Sequence, residues 1–132
     1  MELQATCLLF KILKMNIEEF REYCLSKKHV TECFPFDEKT LVFKVAGKMF
    51  ALSGLEKHPS TVNLKCDPEK AIELRDAHHD IIEGFHMSKK HWNTIIIEGG
   101  LSNLFIKELI DHSYNLVVQG LTKKLQKELG FI

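Results

Sequence analysis

A chain of 132 residues, 45% hydrophobic and 27% charged, has the size and composition of one globular domain, and a second core is not expected. Its 18 Lys and Arg balance 18 Asp and Glu, so any attraction to polyanions must come from local segregation of charge. The four cysteines form no C-x-x-C pair, which argues against a zinc ribbon or a small disulfide scaffold and favours a reducing compartment.

The first 14 residues differ in pattern from the rest of the chain. Their apolar patch is interrupted by Lys11 and lacks both a preceding basic region and a small-residue cleavage site, so a signal peptide is not indicated. We expect residues 1–14 to form an N-terminal extension and residues 15–132 to form the single domain. No stretch approaches the roughly 20 apolar residues that span a bilayer, which predicts a cytoplasmic protein with no membrane partner.

The first half of the domain is predicted to hold one helix and three strands. Apolar residues three and four apart after Asn16 predict an amphipathic helix that ends before Phe34-Pro35-Phe36. Alternating residues at 40–46 and 49–52 flank a glycine and predict an antiparallel hairpin. A third alternating segment, residues 61–66, predicts a neighbouring strand with one wet face.

The second half begins with a strong helix start at Asp67-Pro68, a carboxylate cap followed by proline at the first helical position. We expect this helix to run to about Glu83, before Gly84. Residues 85–87 and 91–98 look extended, and the β-branched residues of the latter suit a central buried strand.

The end of the chain is predicted to be helical. Ser102 is expected to cap a short helix, and Ser113 is expected to cap another. The predicted fold class is therefore α+β, a two-layer arrangement of an antiparallel five-stranded sheet covered by helices on one face, in the order α-β-β-β-α-β-β-α.

Charge separates along the chain despite the neutral total. Residues 39–65 hold five lysines and one acid, a formal charge of +4, whereas residues 66–83 hold two basic and six acidic residues, a formal charge of −4. An open sheet face could therefore contact phosphates. The polar positions expected to share that face are Lys44, Asn63 and Lys65, with Lys48 at the hairpin tip.

The segment at residues 88–94 adds two lysines, a histidine and the single tryptophan, a mixture found at nucleic-acid sites. The alternative interpretation is that the lysines only solubilise the sheet while Trp92 packs in the core, and from the residues alone this is the more common situation. The candidate nucleic-acid-binding residues are Lys44, Lys48, Lys65, Lys89, Lys90, His91 and Trp92.

Catalytic and metal motifs are weak. Asp111-His112-Ser113 contains the residue types of a hydrolase triad, but neighbours on a helix point about 100° apart and cannot converge. We interpret this stretch as a helix junction in which Asp111 or Ser113 acts as a cap. The seven histidines show no metal-binding spacing, and no P-loop or dinucleotide fingerprint is present. We therefore expect no enzyme activity, no metal and no cofactor.

Two stretches carry a family resemblance. They are Gly-Phe-His-Met-Ser-Lys-Lys-His-Trp-Asn-Thr at residues 84–94 and Leu-Ile-Asp-His-Ser-Tyr-Asn-Leu-Val-Val at residues 109–118. With these, the chain resembles the MmcQ/YjbR family of small bacterial proteins over residues 15–129. The resemblance implies a CyaY-like α/β fold related to secretion chaperones, with "double wing" hairpins regarded as a DNA-binding device.

Three functions stand as hypotheses. The first is a DNA-binding or regulatory protein that uses the basic hairpin and sheet face. The second is a chaperone-like adaptor whose sheet or strand edge accepts a protein partner. The third is a small-molecule binder or enzyme with a cleft formed by His86, His91, Trp92 and Tyr114. The sequence leaves the oligomeric state open.

Overall fold

The computed structural model describes residues 15–56, 58–84 and 87–132, so the predicted N-terminal extension lies outside the described residues. All neighbouring strands of its sheet are antiparallel, in the spatial order β1-β2-β3-β4-β6-β5. The strands are β1 (Val30–Cys33), β2 (Thr40–Val45), β3 (Lys48–Gly54), β4 (Thr61–Lys65), β5 (Ile81–Glu83) and β6 (Trp92–Ile96). The helices are α1 (Ile17–Leu25), α2 (Pro68–Ala77), α3 (Asn103–Gln119) and α4 (Lys123–Glu128).

The fold is α+β with an antiparallel sheet, as predicted, but the described residues form a sheet of six strands and not five. One strand that the sequence did not predict is β1, which lies where the first helix was expected to continue. Helix α1 ends at Leu25, and His29 then adopts a φ of 62°, in the left-handed region, directly before β1 begins at Val30. Val30 and Thr31 come next as β-branched residues and pair with β2.

Helix α2 ends at Ala77, earlier than expected, and residues 81–83 form β5 where helix was predicted. The β-branched side chains of Ile81 and Ile82 favour a strand, and β5 pairs with β6. The carboxylate of Asp80, the residue directly before β5, accepts a hydrogen bond from the backbone N–H of Gly100 at 2.6 Å and so fixes the start of this strand. The strand expected at residues 85–87 includes residues 85 and 86, which lie outside the described part of the chain.

Helix α3 is continuous over 17 residues, so Ser113 lies inside it and does not cap a new helix. No proline or glycine interrupts the segment until Gly120, and the next helix, α4, is capped by the hydroxyl of Thr122. Ser102 caps α3, as predicted, by accepting from the N–H of Phe105. The chain therefore ends in two helices, as expected, but the boundary between them lies at Gly120 and Thr122 and not at Ser113.

The main core lies between the sheet and the helices, and a β-bulge shapes it. Phe43 pairs with Ala51, but Lys44 pairs with Met49, so Phe50 is an extra residue in β3. As a result Phe50 and Ala51 are both buried in the core cluster that packs against the helices. A smaller cluster, separate from this core, contains Val42, Leu52 and Trp92, with Cys33, Met49 and Met87 packed against it.

None of the helices in the described ranges is long and apolar enough to cross a membrane.

Candidate nucleic-acid interface

The turn between β2 and β3 places two of the candidate lysines at one end of the sheet. Ala46 and Gly47 both have positive φ, 51° and 79°, which is the conformation of a tight type I′ hairpin turn. Lys48 comes directly after the turn, opposite Val45, and Lys44 lies one residue earlier on β2. The tight turn therefore places Lys44 and Lys48 on neighbouring strands, close to the hairpin tip.

Lys65, the third candidate lysine, lies at the point where β3 and β4 separate. The hydroxyl of Ser113 is inserted there from α3, accepting from the N–H of Lys65 at 2.9 Å and donating to the carbonyl of Phe50 at 2.5 Å. These two bonds replace a direct backbone bond between the strands, because Ala51 and Leu64 form the last pair of the ladder. The strands can therefore diverge without leaving these groups unsatisfied.

A groove opens beside this divergence, between the hairpin tip, the end of β4 and the last turns of α3. We call it the basic groove; it encloses about 590 Å³. None of the described residues that line it is acidic. Its lining consists of Lys44, Gly47, Lys48, Met49, Lys65, Trp92, Leu116, Val117 and Gly120.

The three lysines of the basic groove are not neutralised by neighbours. Within residues 15–56, 58–84 and 87–132, no carboxylate forms an ion pair with Lys44, Lys48 or Lys65. Other lysines differ in this respect: Lys39 pairs with Glu56 at 3.2 Å, and Lys27 pairs with Asp111. The basic groove thus combines three available positive charges with a concave surface.

Trp92 contributes a wall to the groove and not an exposed ring. Its side chain is 8% exposed and packs in the smaller cluster with Val42 and Leu52. Stacking on a nucleic-acid base needs an accessible aromatic face. Trp92 therefore packs inside the protein, as the alternative interpretation expected. The lysines beside it remain available to bind phosphates.

The remaining candidate residues, Lys89, Lys90 and His91, are exposed in the loop before β6 and do not line the groove. The ammonium of Lys89 pairs with Glu83 at 3.3 Å. The carbonyl of His91 accepts from the N–H of Cys66 at 2.8 Å, which continues the pairing of β4 with β6 beyond Lys65 and Trp92. This loop therefore flanks the groove and is held in place by its backbone.

Sequence reasoning missed the contribution of α3 to this site. Leu116, Val117 and Gly120 line the groove although they lie more than 50 residues from Lys65. Their spacing indicates only a helix with an apolar stripe. The signal that α3 meets the hairpin is Ser113, whose hydroxyl contacts β3 and β4, and no local pattern distinguishes such a serine from a helix cap.

The three side chains of Asp111-His112-Ser113 diverge, as helix geometry predicts. Asp111 accepts from the hydroxyl of Tyr23 at 2.7 Å, and the Nε2 atom of His112 accepts from the N–H of Asp67 at 3.2 Å. The three residues join α3 to α1, to the start of α2 and to the sheet. The prediction that Asp111 or Ser113 caps a helix is wrong, because both lie in the helix interior.

The other sequence-based sites are not assembled. Trp92 packs in the smaller cluster, whereas Tyr114 packs against Phe50 in the main core, so they do not share a cleft; His86 lies outside the described residues. Burial raises the pKa of the thiols of Cys24 and Cys66, which makes them poor nucleophiles. In the part of the chain that the structure describes, no three His, Cys, Asp or Glu residues are grouped so that they could hold a metal ion.

Fold and groove together define the class: a small α+β protein in which helices cover an antiparallel sheet and three lysines line a groove at one end. The chain belongs to the YjbR family, whose sequence model matches residues 25–116, so the resemblance to that family is confirmed. Among curated relatives, the uncharacterized protein YbdF of Escherichia coli O157:H7 is 37% identical over 112 residues, covering 85% of this chain and 92% of that protein. The uncharacterized protein YjbR of Escherichia coli K12 is 33% identical over 115 residues, covering 87% and 98%.

Two crystal structures are similar to this fold. Protein DR2400 of Deinococcus radiodurans has 41% sequence identity and a TM-score of 0.82, covering 90% of this chain and 89% of that one. A protein from Pseudomonas syringae has 28% identity and a TM-score of 0.69, covering 77% and 98%.

Proposed function

We propose that this protein binds nucleic acid, with DNA as the expected partner, through the basic groove and acts in a binding or regulatory role. The observation that carries the proposal is that Lys44, Lys48 and Lys65 line one concavity with no acidic residue and no ion-pair partner among the described residues. Unpaired lysines in a groove attract phosphates, and their binding to the phosphates releases counterions from the nucleic acid. The "double wing" hairpin associated with the family agrees with this proposal.

The groove specifies a mode of binding. Lysine is a point charge that positions a phosphate but carries no base information, and the buried Trp92 offers no stacking platform. Binding is therefore directed at the backbone and depends little on sequence. Three phosphate contacts give a slope of about −2.7 in log K against log salt on duplex DNA, or roughly fortyfold weaker binding at 200 mM than at 50 mM salt.

Fluorescence anisotropy with labelled duplex and single-stranded DNA at 50 and 200 mM salt tests this proposal. The variant Lys48→Glu/Lys65→Glu reverses two groove charges. The matched control Lys39→Glu/Lys70→Glu makes the same change in net charge away from the groove, at two exposed positions. We expect the groove variant to lose binding and the control to lose much less; equal losses, or no binding by the wild type at 50 mM, would refute the proposal.

A second candidate, a protein-interaction module, rests on two exposed aromatic side chains. Phe34 and Phe36, in the connection between β1 and β2, are 49% and 63% exposed. Apolar side chains exposed together mark interaction surfaces. Light scattering separates the candidates: a homodimer that Phe34→Ser/Phe36→Ser converts to monomer favours this second function, whereas a monomer that binds DNA favours the first.

A further inference from the structure

A second concavity lies at the opposite end of the β2–β3 hairpin from the basic groove, between α1 and the sheet. We call it the α1 pocket; it encloses about 380 Å³, within the usual range of roughly 300 to 1,000 Å³ for small-molecule sites. Its lining consists of Ile17, Glu18, Arg21, Glu32, Phe34, Leu41, Phe43, Ser53 and Leu55. Among the described residues no lysine lines it, so it differs chemically from the basic groove.

One buried polar atom in this lining has no hydrogen-bond partner among the described residues. Ser53 is 1% exposed, and its hydroxyl makes no hydrogen bond in the described ranges. Its neighbours across the sheet are Leu41 on β2 and Val62 on β4, both buried and apolar. Buried hydroxyls are nearly always paired, and an unpaired hydroxyl in a pocket wall is a group that a ligand could satisfy.

The charges of the α1 pocket restrict what it can hold. The guanidinium of Arg21 donates two hydrogen bonds to the carboxylate of Glu32, at 2.6 and 2.8 Å, and these bonds hold the pKa of Glu32 below its usual range. The charge of the guanidinium is therefore balanced by Glu32, which weakens its attraction for an anion. Glu18 adds a further negative charge, which disfavours carboxylates and phosphates.

The mouth of the pocket is apolar and accessible. Phe34 and Leu55 are 49% and 42% exposed, although the removal of large apolar side chains from water lowers the free energy. A ligand body in contact with both side chains would bury them together with its own surface. The backbone N–H of Leu55 donates to the carbonyl of Lys39 at 2.8 Å, which fixes this side of the mouth.

We propose that the α1 pocket binds a small uncharged organic molecule with an apolar, ring-sized body and one hydroxyl or carbonyl group that pairs with the hydroxyl of Ser53. The site is independent of nucleic-acid binding, because the two concavities lie at opposite ends of the hairpin and share no lining residue. Failure of either proposal leaves the other standing.

A pair of probes that differ in one hydroxyl group tests the pocket. p-Cresol and toluene have the same apolar body, and their binding to the full chain is followed through backbone amide shifts in ¹H–¹⁵N NMR spectra. We expect shifts centred on Ile17, Leu41, Ser53 and Leu55, and p-cresol to bind about three- to tenfold more tightly than toluene, the factor that one net hydrogen bond supplies.

Three variants test whether the α1 pocket and the hydroxyl of Ser53 determine the binding of the two probes. Ser53→Ala removes a hydroxyl that makes no bond in the described part of the protein, so the fold is retained, and the preference for p-cresol over toluene should disappear. Ser88→Ala is the matched control at a serine outside the pocket and should keep the preference. Leu55→Trp enlarges a side chain at the mouth and should weaken binding of both probes.

The proposal is overturned by any of three results: equal affinity of the wild type for the two probes, a preference that persists in Ser53→Ala, or shifts centred on residues outside the pocket. A loss of preference in Ser53→Ala with retention in Ser88→Ala supports it.

Discussion

The hydroxyl of Ser113, in the middle of α3, lies 2.9 Å from the backbone nitrogen of Lys65 at the end of β4 and accepts its hydrogen bond. The same hydroxyl donates to the carbonyl of Phe50 in the neighbouring strand. A fully buried helix side chain thus completes the ladder where two strands separate. Because Lys65 lines the basic groove beside Val117, one helical turn further along α3, this contact couples the helix to the candidate site.

Replacement of Ser113 by Ala should therefore destabilise the fold. It leaves the N–H of Lys65 and the carbonyl of Phe50 without this partner, and an unsatisfied buried polar group costs about 1–3 kcal/mol. Urea unfolding followed by circular dichroism measures the change. The control is Asn115→Ala, an exposed position on the same helix. An unchanged urea midpoint in Ser113→Ala would contradict the role of this hydroxyl in joining the strands.

Local patterns predicted the parts of the site that depend on local geometry. Alternation along residues 40–46 and 61–66 indicated that Lys44 and Lys65 share one face, because side chains of a strand alternate with a period of two. Strand β1 was missed because its four residues are defined mainly by pairing with β2. The role of Ser113 and the bulge at Phe50 depend on contacts between distant segments, which no local pattern reports.

Trp92, the single tryptophan, reports on how nucleic acid would bind. Because its ring is buried against Val42 and Leu52, its fluorescence emission should be blue-shifted in the folded protein and resistant to acrylamide quenching. Saturating DNA should change the emission little, since the lysines contact phosphates without stacking. Strong quenching of Trp92 by DNA under the conditions of the anisotropy experiment would contradict the binding mode and indicate base stacking.

Tyr23 should titrate at unusually high pH. Burial, followed by the hydrogen bond that its hydroxyl donates to Asp111, raises the pKa of Tyr23 to about 12. Absorbance at 295 nm in the variant Tyr114→Phe isolates Tyr23, since the chain has two tyrosines. The folded pKa exceeds that of the unfolded chain, so the stabilisation is present below about pH 10 and is lost as the pH rises from about 10 towards 12. A midpoint near the ordinary tyrosine value would contradict the contact with Asp111.

His112 should make stability depend on pH in the opposite direction. Burial, and then the charge of Lys70, lowers the pKa of His112, and its neutral Nε2 atom accepts from the N–H of Asp67 at the start of α2. Because the folded pKa lies below the unfolded value of about 6.5, the unfolded chain takes up the proton more readily. The stabilisation is present above about pH 6.5 and falls as the pH drops through the lowered pKa.

Urea midpoints at about pH 7.5 and 5.5, on either side of the ordinary histidine pKa, measure this effect. The wild type should lose stability over this interval, and His112→Gln, which cannot titrate but keeps an acceptor, should lose less. The control His91→Gln removes an exposed histidine whose ring makes no such contact in the described residues, and its pH dependence should match the wild type. Protonation at Nε2 would also place a positive charge near the N-terminus of α2, where the helix dipole disfavours it. If the urea midpoint of both variants changes with pH as in the wild type, the neutral imidazole of His112 does not stabilise the contact between α3 and the start of α2.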